Sequence, residues 1–259
     1  MTVAQFPSGA VEGEHPRPRP RLSLVGTFQL TVGGMNVSLP HGVQRLLALL
    51  ALTGRPVGRS RVAGQLWPDV PEWRALGNLR SALWRLHRVD HVLVRSLDDR
   101  LTIDPEIEID LLELLRMVNS PATHAQEGLA GDLPVLVNAT ELLPGWEDDW
   151  VVGKRERFRQ DRVLALEKWC EAFLEAENFA VAVRAAAAAV EAEPLRDSAQ
   201  RLLVRAYLRE GNVAAALRAY ASYCDLMEAE LGIAPSESMR LLVAGLSPHI
   251  DDHHSVTSR

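Results

Sequence analysis

The sequence predicts a mainly α-helical protein with small β elements: a winged helix-turn-helix domain followed by an all-α, tetratricopeptide-like domain. Three observations predict it. Residues 21–104 pass through short strands, three helices and a hairpin. The third of those helices divides into an apolar face and a basic arc. Beyond residue 170 the chain repeats itself at an interval of 34 residues.

Residues 1–20 carry four prolines and no hydrophobic periodicity, so they read as a disordered tail. They contain acids and no apolar stretch of the kind a secretory signal needs. No run approaches the roughly 18 apolar residues that cross a bilayer, and a cytoplasmic protein without membrane contact is expected.

From Arg21, RLSLVGTFQLTVGGMNVSLP alternates through Leu22, Leu24, Thr27, Phe28 and Leu30, turns at Gly33-Gly34 and resumes at Val37 and Leu39. That pattern predicts antiparallel strands joined by a glycine hairpin. HGVQRLLALLALTGR then sets Leu46, Leu47, Leu49 and Leu50 at helical spacing, with Gly54 as the C-cap. A second helix is expected from Ser60, as N-cap, to Trp67, and a third from Glu72 to Val89, bounded by Pro68 and Pro71. VLVRSLDDRLTID follows, two alternating runs around Asp98-Asp99, a hairpin that supplies the wing.

The third helix carries the sharpest functional signal. With Leu79 set at zero and about 100° per residue, Ala75, Leu76, Ala82, Leu83 and Leu86 fall within about 60° of it. Arg74, Asn78, Ser81, Arg85 and Arg88 occupy the opposite arc, flanked by Arg80 and Trp84, and no acid follows Glu72 on that arc. Guanidinium forks and amides match base edges and phosphates, whereas an ordinary solvated helix face mixes its signs. The candidate DNA-binding residues are therefore Arg74, Asn78, Arg80, Ser81, Trp84, Arg85 and Arg88, with Arg95 and Arg100 flanking the wing tip.

Charge is divided in the same sense. The whole chain carries −6, but residues 21–104 hold eleven arginines against six acids, and residues 105–259 hold fifteen basic residues against twenty-six acids. A part that binds a polyanion and a part that does not would produce this asymmetry.

LPGWEDDW at 143–150 precedes a long helix expected from Val151 to Ala176. Asn178, Ala180, Ala182 and Ala185 then match Asn212, Ala214, Ala216 and Ala219, while Ala172-Phe173 match Ala206-Tyr207. Small residues permit close packing of paired helices, and turns fall at Glu177-Asn178 and Gly211-Asn212. Domains are thus expected at 21–104 and 105–247, with a disordered C-terminal tail at 248–259.

The chain resembles the Streptomyces antibiotic regulatory protein (AfsR-type) family. The likeness rests on RLSLVGTFQL, RLLALLAL, VAGQLWPD and NLRSALWRLHR in the first half. In the second it rests on LLPGWEDDWVVGKRERFRQ and on the run ending in ELG-x-x-PS. It implies an OmpR-type winged helix on direct repeats in promoter DNA, two protomers side by side, and activation through RNA polymerase and its sigma factor. By position it assigns DNA contact to Asn78, Arg80, Ser81, Trp84, Arg85 and Arg88. The sequence departs from the family at Leu97-Asp98-Asp99, where a glycine and an aromatic are usual, and at His87, where arginine is frequent. Both departures imply weaker backbone contacts. The ATPase and sensor modules of large family members are not expected in this chain.

No phosphate-loop, H-E-x-x-H or nucleophile-elbow motif occurs, so no enzyme activity and no cofactor are expected. Cys170 and Cys224 lack metal-type spacing, the HIDDHH run at 249–254 reads as a solvated tail, and no metal is expected. Asp148 and Asp149, beside tryptophans, read as cap and surface. The competing expectation is a tetratricopeptide scaffold for a protein partner, with a vestigial winged helix.

Overall fold

The computed structural model describes residues 19–89, 91–119, 134 and 136–245. Of the tails expected at 1–20 and 248–259, residues 1–18 and 248–259, including the HIDDHH run, lie outside the described residues, whereas Pro20 is buried and ordered against Glu108. The chain forms two compact units. Residues 19–23 and 28–109 make the first, and 24–27 with 110–245 the second.

The first unit begins with β1 (Arg21–Ser23), β2 (Gln29–Val32) and β3 (Met35–Asn36). Val32 pairs with Met35 across Gly33-Gly34, whose φ values of 58° and 79° are the left-handed geometry a two-residue hairpin demands. The expected alternating run is interrupted, because Leu24–Thr27 leave the ladder. The amides of Leu24 and Val25 donate to the Asp110 carboxylate at 2.9–3.1 Å, and Gly26, at φ 81°, donates to Glu141 O. A side chain at Gly26 would also stand 3.1 Å from Thr140 Oγ1.

α1 (His41–Thr53) buries Leu46, Leu47 and Leu50 and ends at Gly54, φ 64°, as its spacing predicts. β4 (Val57–Gly58) leads directly into α2 (Arg59–Leu66). Ser60 is therefore not the N-cap. Gly58 holds that position, and the Arg59 N–H donates to the wing carbonyl Asp99 O at 3.0 Å, which removes the need for a side-chain cap. α3 (Glu72–Leu86) stops three residues short of Val89, and the chain continues in tighter turns, with Arg88 N donating to Arg85 O and Val89 N to Leu86 O. β5 (Val94–Leu97) and β6 (Arg100–Ile103) form the expected hairpin about Asp98-Asp99, with Asp98 at φ 53°. β4 joins it on the β6 side, giving the order β4-β6-β5. β7 (Glu108–Ile109) pairs in parallel with β1, completing the order β3-β2-β1-β7. Pro20 O accepts from Glu108 N beside it. α1 packs on α2, α3 and β6, so the leucine-rich helix is the centre of this core.

The second unit contains α4 (Asp110–Asn119), α5 (Asp149–Glu175), α6 (Phe179–Ala192), α7 (Asp197–Glu210), α8 (Val213–Leu231) and α9 (Glu237–Val243). Each helix from α5 to α8 packs on the next. The 34-residue interval is the spacing of the pairs α5–α6 and α7–α8. Ala182 and Ala216, one interval apart, are both fully buried, as small seam residues must be. Their turns correspond too: Glu177 at φ 56° precedes Asn178, and Gly211 at φ 85° precedes Asn212, whose side chain accepts from Ala215 N. Tyr220, Tyr223 and Met227 of α8 close the stack with Met239 and Val243 of α9. Arg155 of α5 donates to the carbonyls of Leu142, Leu143 and Trp146, so one guanidinium holds the LLPGW segment. Among the described residues no helix is long and apolar enough to cross a membrane.

Candidate nucleic-acid interface

The candidate site is built on α3. Pro71 precedes the helix with φ −55°, Glu72 lies at the positive end of its dipole and Arg85 at the negative end. Ala75, Leu79, Ala82 and Leu86, spaced at four, three and four residues, are buried against the rest of the unit. Burying this stripe fixes the rotation of the helix, and rotation decides what faces outward.

Every residue the periodicity assigned to the polar side is exposed: Arg74, Asn78, Arg80, Ser81, Trp84 and Arg85 on α3, and Arg88 on the turn after it. Arg74, Arg80, Arg85 and Arg88 have no carboxylate partner among the described residues. Arg74 lies over the Trp73 ring at 5.0 Å and Arg88 over the Trp84 ring at 5.2 Å. Such stacking holds a guanidinium extended without neutralising it. The Ser81 hydroxyl donates to Gly77 O at 3.1 Å, which leaves its oxygen as an acceptor.

The wing residues differ from each other. Arg100 is exposed and its guanidinium is unpaired among the described residues. Arg95 donates through Nε to Asp104 at 2.6 Å, and that bond with the carboxylate's charge raises its pKa further. At the tip, Arg59 Nη2 donates to Ser96 Oγ at 2.9 Å and its Nε stands 4.0 Å from the Asp99 carboxylate, so a cation from α2 partly offsets the acidic tip.

Sequence reasoning passed over Arg59 and Trp73. Nothing local marks Arg59, whose role comes from the pairing of β4 with β6. Trp73 was legible, because it falls three helical turns from Trp84 on the same side of α3. Asp148 and Asp149 are unlike a catalytic pair: Asp148 precedes α5 and accepts from Trp150 Nε1 at 3.2 Å, while Asp149 is exposed. No group of three or more potential metal ligands occurs among the described residues.

Comparison with known proteins agrees with this architecture. Residues 134–246 match the family described as the bacterial transcriptional activator domain. The chain is 27% identical over 237 residues to the regulatory protein AfsR of Streptomyces coelicolor, covering 86% of this chain and 24% of that protein. It is 25% identical over 225 residues to AfsR of Streptomyces griseus, covering 83% and 23%. The chain therefore spans about a quarter of the length of these curated relatives. Its fold is that of Mycobacterium tuberculosis EmbR, solved in complex with a low-affinity phosphopeptide, with a TM-score of 0.65 at 22% identity over 86% of this chain and 64% of that one.

Proposed function

We propose that the chain, whose residues 134–246 match the bacterial transcriptional activator domain and which is similar to AfsR along most of its length, is a Streptomyces antibiotic regulatory protein (AfsR-type) regulator, a sequence-specific, DNA-binding transcriptional activator. One observation carries the reading: α3 buries a continuous apolar stripe and, with the turn after it, presents to solvent four arginines that have no carboxylate partner among the described residues, an asparagine and a serine. Such a helix fits the major groove, where arginine reads guanine and asparagine reads adenine.

Arg74, Asn78, Arg80, Ser81, Trp84, Arg85 and Arg88 are the contact residues on this reading. Arg100 reaches the backbone from the wing, and Arg95 contributes only through donors that Asp104 leaves over. Two protomers occupy direct repeats in a promoter. The acidic helical unit, which would be repelled by a duplex, serves the neighbouring protomer, RNA polymerase and its sigma factor. The protein works on chromosomal DNA in the cytoplasm, as a non-enzymatic regulator.

The test is titration of the full chain against duplexes recovered from genomic binding-site mapping, at several salt concentrations. A shared repeat and a Kd that weakens steeply with salt are expected. Tight binding with neither feature would transfer the function to the helical unit, as a scaffold for protein partners.

A further inference from the structure

α3 has an apolar strip along one border of the arginine arc, sharing Trp84 with it. Trp73 and Trp84 are 66% and 62% exposed, although each already carries an arginine over its ring. Eleven residues of α-helix return nearly to the same side, so the two indoles lie on one line, about 16 Å apart. That is the rise of about five base pairs. Large apolar side chains held in water on one line of a helix mark a surface that something covers.

Gly77 stands between them. Glycine is among the least favourable residues for a helix interior, second only to proline. Here its backbone is ordinary right-handed helix, with no positive φ to require it. Crowding does not require it either, since a Cβ would meet only the mobile end of Arg80, at 3.9 Å. The effect of this glycine is therefore on the outside: it opens a slot between two indoles, where an incoming surface can approach the helix backbone closely.

We propose that Trp73, Gly77 and Trp84 form an apolar strip that reads thymine in the major groove. The C5 methyl of thymine is the one apolar group that bases present there. The indole edges receive those methyls, and the slot at Gly77 admits the duplex between them. Recognition is then divided along one helix: the arc with Arg85 and Asn78 makes hydrogen bonds to base edges, and the tryptophan strip requires A·T pairs on its own side. This inference rests on the DNA-binding reading above.

The experiment begins by selecting duplexes from a randomised pool with the full chain, then replacing each thymine of the winning site by uracil, which removes only the methyl. Loss of one buried methyl is expected to weaken binding about fourfold, and the loss should vanish in Trp73→Ala or Trp84→Ala. Both side chains are exposed, so these variants should keep the wild-type unfolding temperature. Gly77→Ala provides a second, opposed readout: its unfolding midpoint should rise by about 2 °C while its affinity falls several-fold. Gly153→Ala, in α5, should gain stability without losing affinity. If the wild type selects a site but uracil is tolerated at every position, or Gly77→Ala binds normally, the strip does not read thymine and the arginine arc stands alone. If the pool yields no preferred duplex at all, the DNA-binding reading itself fails and the strip with it.

Discussion

Arg95 and Asp104 are locked together across the wing: Nε donates to Oδ2 at 2.6 Å and Nη2 reaches Oδ1 at 3.4 Å. The carboxylate is nearly sealed from water, with its side chain 4% exposed, and it also accepts from Glu106 N at 2.8 Å. Removing the cation strands a buried charge beside a second acid, Glu106. Arg95→Ala should therefore lower the unfolding temperature by a few degrees at pH 7. Adding Asp104→Asn should restore much of that loss. A deficit that Asp104→Asn leaves unchanged would mean that the hairpin is held by something other than this carboxylate.

Arg85 and Arg88 sit side by side on the arc, yet only Arg88 is stacked, over Trp84. Replacing a base-reading arginine by alanine should cost about 1–3 kcal/mol and relax the preference at one position, whereas a phosphate contact should weaken all duplexes alike. If Arg85→Ala and Arg88→Ala both bind a selected duplex as the wild type does, α3 is not the reading element.

Salt dependence measures how many phosphates are engaged. With Arg74, Arg80, Arg85, Arg88 and Arg100 free of carboxylates among the described residues and some of them spent on bases, roughly two to five phosphate contacts per protomer are expected. Log K should then fall with log salt at a slope of about −2 to −4.5 per protomer, and twice that on a tandem site. Tight binding with a flat response would assign the arc to solvent.

Ala182 and Ala216 occupy equivalent seams in which no side-chain volume is spare. Ala182→Leu or Ala216→Leu should overpack its seam and cost about 1–3 kcal/mol in urea unfolding. The exposed seam neighbour Ala214 gives the comparison: Ala214→Leu should be nearly neutral. Equal effects at buried and exposed sites would show that the alanines are not what brings the helices close.

Burial pushes the Cys170 thiol up to about 12, and the same cause raises the half-buried Cys224. The native chain should therefore resist alkylation at pH 8, with Cys224 labelled slowly and Cys170 only on unfolding. A thiol that keeps its proton when folded stabilises below its unfolded pKa, and that advantage drains away as pH rises from about 8.5 towards 12. Fast native labelling of Cys170 would contradict its place in the α5 core.

The sequence by itself determined the features whose cause is local and periodic. Leu79 and its neighbours recur at helical spacing, so the rotation of α3, and with it the outward arc of Arg74, Asn78, Ser81 and Arg85, follows from amphipathicity. The Gly33-Gly34 and Asp98-Asp99 turns are legible because a two-residue hairpin tolerates few residues at left-handed φ. The alanine matches at 34 residues declare the helix pairs because close seams exclude larger side chains. Only the tertiary structure decided what depends on partners distant in sequence. β4 and β7 have two residues each, too few for any period, and exist because Val57 meets Leu101 and Leu22 meets Ile109. The same holds for Asp110, which captures amides 85 and 86 residues away, for Ser60, displaced as a cap by the Asp99 carbonyl, and for Arg95, committed to Asp104 rather than left free. In each case the energy lies in a hydrogen bond or ion pair between remote groups, and a linear pattern records only what neighbours along a helix or strand require.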